Sequence, residues 1–122
     1  MNTADFLGTY AEGWTNGNSD TILSATSDSF VFDDPNAGKV AKEEFQEFFA
    51  GLKEAVASIR GAGHEGPFME LSEVVTKDDG DGLTASCWWE IPGTDIQGSG
   101  LIKVANDGVV SERIAYYTKL PE

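Results

Sequence analysis

The sequence predicts a single α+β domain in which helices come first and an antiparallel sheet follows. Three observations carry this. Apolar residues recur at helical spacing in the first half of the chain. Alternating segments rich in β-branched and aromatic residues, separated by Gly, Asp and Asn turns, fill the second half. The length of 122 residues supports one packed core and not two, so residues 1–122 form one domain. The apolar periodicity argues against disorder despite a formal charge of -13.

Phe6, Tyr10 and Trp14 stand at i, i+4 and i+8 with Leu7 beside them, which predicts a first helix over residues 3–16 that Gly17 ends. Asn18 or Ser19 can cap a short second helix over residues 20–25, with Asp20 at the positive end of its dipole. An aromatic strand over residues 29–34 follows. The loop Pro35-Asn36-Ala37-Gly38 then leads to a third helix over residues 41–59, whose apolar positions Phe45, Phe48, Phe49, Leu52, Val56 and Ile59 keep helical spacing. The Gly-rich run 60–67, which contains His64, fits no regular pattern and reads as a mobile connection. Four strands of a meander are expected at 68–77, 83–91, 96–105 and 109–119, the last two joined by Asn106-Asp107-Gly108.

Composition excludes several function classes. With 21 acidic against 8 basic residues, neither nucleic acid nor an anionic membrane is expected as a partner. The apolar runs are too short to span a bilayer. No basic residue precedes an apolar run at the N-terminus, so no secretory signal is read and a cytoplasmic address is expected. One cysteine, Cys87, and one histidine, His64, leave little for a metal site or a Cys-His dyad. Cys87 lies inside a strand pattern and is expected to be a buried, inert thiol.

The stretch Phe30-Val31-Phe32-Asp33-Asp34-Pro35 concentrates the chemistry. Strand alternation puts Phe30, Phe32 and Asp34 on one face, and Pro35 ends the strand while holding Asp34 extended. A carboxyl on an apolar face is costly to ionise unless something solvates it, so Asp34 is expected to have a proton affinity raised toward the range useful in proton transfer. The same Asp-Asp-Pro sequence is also ordinary turn chemistry.

The order helix, helix, strand, helix and four-stranded meander resembles the NTF2-like superfamily, which has a cystatin-like, cone-shaped fold with a deep pocket. The segment from Tyr10 to Pro35, with Asn16-Gly17 between helices and Phe32-Asp33-Asp34-Pro35 closing the strand, is similar to ketosteroid isomerases and SnoaL-like polyketide cyclases. The resemblance implies that Tyr10 donates to a developing enolate and that Asp34 moves the proton. It also implies a pocket for a small apolar organic molecule lined by Trp14, Phe30, Phe32, Phe49, Trp89, Glu112 and Tyr116, without cofactor or metal. Gly100 falls where the family carries a second, protonated donor, and Phe49 falls near its orienting tyrosine. Glu112 in the pocket could share a proton with Asp34 or orient a substrate hydroxyl.

Trp88 and Trp89 must point to opposite sides of their strand. Trp89 is assigned to the pocket and Trp88 to the outer sheet face, where relatives pair as homodimers. Gly98 and Gly100 either enlarge the cavity or permit a bend. The expected function is cofactor-independent proton transfer, of isomerase, cyclase or lyase type, on an apolar carbonyl compound. The alternatives are a non-catalytic ligand-binding or dimerisation module and a protein-interaction scaffold.

Overall fold

A computed structural model describes residues 1–61 and 63–117. Helix α1 (Thr3–Asn16) starts at a capping box, in which the Asn2 side chain accepts from the Asp5 amide and the Asp5 side chain accepts from the Asn2 amide. It stops at Gly17, whose φ of 65° is left-handed and where a Cβ would lie 2.9 Å from Cβ of Phe68, so glycine suits the position twice over. Asn18 caps α2 (Ser19–Ser24) by accepting from the Thr21 amide. Helix α3 (Phe45–Arg60) is preceded by a 3-10 turn, Lys42–Glu44.

Among the described residues six strands form one sheet: β1 (Thr26–Asp34), β2 (Gly38–Ala41), β3 (Glu70–Asp78), β4 (Leu83–Glu90), β5 (Gln97–Ala105) and β6 (Gly108–Tyr116). Their order is β2-β1-β6-β5-β4-β3, with β1 parallel to β6 and every other pair antiparallel. The fold is therefore the expected α+β cone of helices on a curved, mostly antiparallel sheet.

Three local expectations need correction. Strand β1 begins at Thr26, with a register break between Thr26 and Val31 that the aromatic pattern did not reveal. Gly38–Ala41 is a strand and not part of a loop or helix, because Val40 turns inward beside Phe32 while Lys39 faces solvent. Helix α3 consequently starts four residues later than the periodicity suggested. Residues 118 and 119 of the expected last strand lie outside the described residues.

The helices cover one face of the sheet. Trp14, Phe30, Phe32, Phe45 and Phe49 are buried and meet largely edge to face, with Trp14–Phe45 centroids at 5.9 Å and Phe30–Phe45 at 5.7 Å. Each such ring contributes about 1.5–3 kcal/mol by burial, and favourable ring pairs add about 0.5–1.5 kcal/mol. Cations tie neighbouring elements through backbone carbonyls: Lys53 of α3 donates to Gly17 at the end of α1 at 3.0 Å, Lys42 to Thr26 of β1 at 3.0 Å and Arg60 to Pro92 in the turn after β4 at 2.7 Å. Among the described residues, no helix is long and apolar enough to cross a membrane.

Candidate functional site

The cone encloses a cavity walled by α1, α3 and the inner face of the sheet. The hollow, including its mouth to solvent, measures about 480 Å³. Strand β6 supplies Glu112, Ile114 and Tyr116 to the wall, two residues apart and so on one face. Strand β1 supplies Phe32 and Asp34 by the same alternation, and α1 supplies Tyr10 and Trp14, one turn apart.

Two acids and two phenols pair within this wall. The Tyr10 hydroxyl donates to Glu112 Oε1 at 2.6 Å, and both residues are buried. The Tyr116 hydroxyl donates to Asp34 Oδ2 at 2.8 Å. Asp34 Oδ1 also accepts from the amides of Asn36 at 2.7 Å and Ala37 at 3.3 Å, an Asx turn that Pro35 prepares. Along β6 the two pairs are separated by four residues, roughly 13 Å between Cα atoms.

Their electrostatics differ. Burial raises the Glu112 carboxyl from 4.5 to about 7, against the hydrogen bond from Tyr10, which favours the ionised form. Burial, followed by the nearby Glu112 charge, pushes the Tyr10 phenol well up. The Trp14 indole N–H sits near enough to favour the Tyr10 phenolate slightly, yet it makes no accepted hydrogen bond. Burial raises Tyr116 as well, reinforced by its bond to Asp34. Asp34 is buried as the sequence suggested, but it does not stand as a bare acid among phenyl rings. Three donors solvate its carboxyl, and the strand-end turn that supplies two of them was the alternative reading of the same residues.

The glycines of β5 make room for this chemistry. A Cβ on Gly98 would overlap the carbonyl oxygen of Ala115 and lie 2.8 Å from Cζ2 of Trp89, and one on Gly100 would overlap Glu112 Oε2. The space left by Gly100 is thus filled by a carboxyl reaching across from β6. The partner of Glu112 is Tyr10 and not Asp34. Neither glycine leaves open volume: Gly98 admits the backbone of β6 at Ala115 and the edge of Trp89, and Gly100 admits Glu112.

Trp14, Phe32, Trp89, Glu112 and Tyr116 line the cavity with Tyr10 and Asp34. Phe30 and Phe49 do not. Phe30 packs behind Tyr10 at 6.0 Å, and Phe49 lies between Trp14, Phe45 and Phe68 in the core. The apolar wall also includes Met69, Leu71, Ile91 and Ile96, which the sequence reading did not single out. Met69 and Leu71 alternate only at the entry to β3, and Ile91 and Ile96 flank a turn, and an apolar residue facing a cavity has the same pattern as one facing a core. His64 is half-buried against the turn at Gly93, near Arg60, and does not line the cavity. Trp88 lies on the opposite face with its ring 5.6 Å from Tyr117.

No protein-family model matches the chain, and no curated protein matches it significantly. Solved structures do. An NTF2-like protein from Anabaena variabilis superimposes with a TM-score of 0.66 at 17% identity, covering 95% of this chain and 87% of that one. A cystatin-like-fold protein from Nostoc punctiforme gives a TM-score of 0.68 at 10% identity, covering 97% and 90%. A Sinorhizobium meliloti protein for which polyketide cyclase activity is inferred gives 0.62 at 13% identity, covering 91% and 94%. At these identities the similarity establishes the fold: the chain has the NTF2-like, cystatin-like architecture.

Proposed function

We propose that the protein is a cofactor-independent proton-transfer enzyme acting on a small apolar carbonyl compound, with Asp34 as general base and the Tyr10–Glu112 pair as the donor end. The observation that carries this reading is the buried 2.6 Å bond between Tyr10 and Glu112 in the wall that also contains Asp34. Proton counting gives the pair its role. With Glu112 ionised, the pair holds one hydrogen, and their mutual bond uses it. With Glu112 protonated it holds two, so one O–H is free for the substrate oxygen on which negative charge develops. Asp34, solvated by three donors, can take the α-proton from carbon and return it at another carbon of the same conjugated system. Such a reaction leaves no net proton on the enzyme.

A sign for the pH dependence follows. The donor form of Glu112 exists below its raised midpoint of about 7, so kcat/KM should fall as pH rises through that value. The test is conversion of β,γ-unsaturated ketones to their α,β-isomers, followed by the absorbance of the conjugated product. Asp34→Asn should lower the rate by about two to four powers of ten with the fold intact. An unchanged rate would remove Asp34 from the mechanism.

A non-catalytic binding role on the same fold is supported by one observation: both phenols already have protein partners without any ligand. In that case a ligand would bind with no isomerisation by the wild type or by Asp34→Asn.

A further inference from the structure

Tyr116 lines the cavity and bonds the proposed base, yet the proton-transfer scheme gives it no role of its own. Packing holds its ring in place. Trp89, Gly98 and Tyr116 form one cross-strand row, and with no side chain on Gly98 the indole meets the phenol ring edge-on at 5.7 Å. The hydroxyl is thereby presented to Asp34 Oδ2 at 2.8 Å.

Counting lone pairs identifies the reacting oxygen. An ionised carboxyl has roughly two accepting sites on each oxygen. Oδ1 uses its sites on the amides of Asn36 at 2.7 Å and Ala37 at 3.3 Å, both within the turn that Pro35 prepares. Oδ2 has only the Tyr116 bond among the described residues, so it keeps a site for a proton from carbon. The same bond acts on charge. The cavity wall around Asp34 is mostly apolar and opposes a carboxylate, whereas a phenol donor bonds the ionised carboxyl more strongly than the protonated one. The other titratable side chains lining the cavity are Tyr10 from α1 and Glu112 from β6, which bond each other, and α3, β3, β4 and β5 add none to that wall. Asp33 and its register partners Lys39 on β2 and Arg113 on β6 belong to the opposite face.

We infer that Tyr116 is the positioning residue of the base: it reserves Asp34 Oδ2 for the proton from carbon and sets the acid edge of the activity, as Glu112 sets the alkaline edge. This deepens the proposed function by assigning the reacting atom, and it rests on that reading. In the forward step the free Oδ2 lone pair forms an O–H bond, the C–H electron pair moves into the enolate, and the bond from Tyr116 weakens. Return of the proton to carbon restores it. Burial first, and the bond to Asp34 second, push the ionisation of the phenol up, so Tyr116 keeps its own proton throughout.

The experiment compares the wild type with Tyr116→Phe and with replacement of Tyr116 by 3-fluorotyrosine, each as the intact protein. Two quantities are read: the carboxyl ¹³C titration of Asp34, assigned by its absence in Asp34→Asn, and the pH profile of β,γ-unsaturated ketone isomerisation. Tyr116→Phe keeps the ring against Trp89 and removes one donor, so Asp34 should titrate about one pH unit or more above its wild-type midpoint. The acid limb of kcat/KM should move up with it, and the alkaline limb should stay where Glu112 puts it. The fluorinated phenol is a stronger donor and should move both readouts the other way. An Asp34 titration that neither replacement shifts would overturn the inference, and so would a rate that falls equally at every pH with both limbs in place. The titration needs no turnover and so decides the role of Tyr116 by itself. Whether Asp34 is the base is decided separately, by the isomerisation rate of Asp34→Asn against the wild type.

Discussion

A methyl group at position 100 would land on the carboxyl of Glu112, so Gly100 and Glu112 are one structural decision written at two places in the chain. Gly100→Ala should force the buried carboxyl away from Tyr10 or bend β5, and overpacking of this kind costs about 1–3 kcal/mol. Urea unfolding at neutral pH checks this, and a neutral effect would mean that the carboxyl lies elsewhere. The sequence carried half of this relation. The family resemblance chose the strand phase that puts Glu112 and Tyr116 on the face of Asp34, but nothing in residue spacing says that Glu112 pairs with Tyr10 across 102 positions while Tyr116 reaches back to Asp34. Side-chain pairing depends on how deeply each strand tilts into the cone, which alternation does not encode.

At the scale of elements, the long periodic helices and the meander were legible because burial imposes a period of 3.6 or 2 on the residues themselves. Asn2, Asn18 and Gly17 mark helix ends by their own chemistry. The short strand Gly38–Ala41 was hidden, since four residues with one inward side chain carry too little periodicity to separate from a loop. Strand β4 offers a direct check. Cys87 points inward at mid-strand, pairs across from Gly100 and has its thiol pushed up to about 11, by burial first and by the Glu112 charge second. Little thiolate exists at neutral pH, so labelling by a thiol reagent should be slow in the native protein and rapid after unfolding. Fast stoichiometric labelling of folded protein would contradict the burial of that strand face.

For the whole molecule, the outer face of the sheet is the proposed contact between two copies. It exposes Leu101 and Val75 beside the Trp88–Tyr117 pair, and it carries Lys103 and Arg113 in a chain of formal charge -13. Two such acidic chains can approach at lower electrostatic cost there than through their acidic surfaces. Light scattering at concentrations on the order of tens of micromolar should give twice the chain mass, and Trp88→Glu should return the monomer mass; a wild-type monomer would exclude this contact. Folding stability should also report Glu112. An acid whose proton affinity is raised in the folded state binds more protons folded than unfolded, so its contribution is favourable at low pH. That contribution is lost as pH rises from 4.5 to about 7, by about 3 kcal/mol in all, and Glu112→Gln should remove this loss. The donor end, and with it the proposed chemistry, depends on that one carboxyl keeping its proton to near neutrality. The measurement that tests it most directly is a carboxyl ¹³C NMR titration of the intact protein, with the Glu112 signal assigned by its absence in Glu112→Gln. A midpoint near 7 is the predicted result, and a midpoint near 4.5 would contradict it.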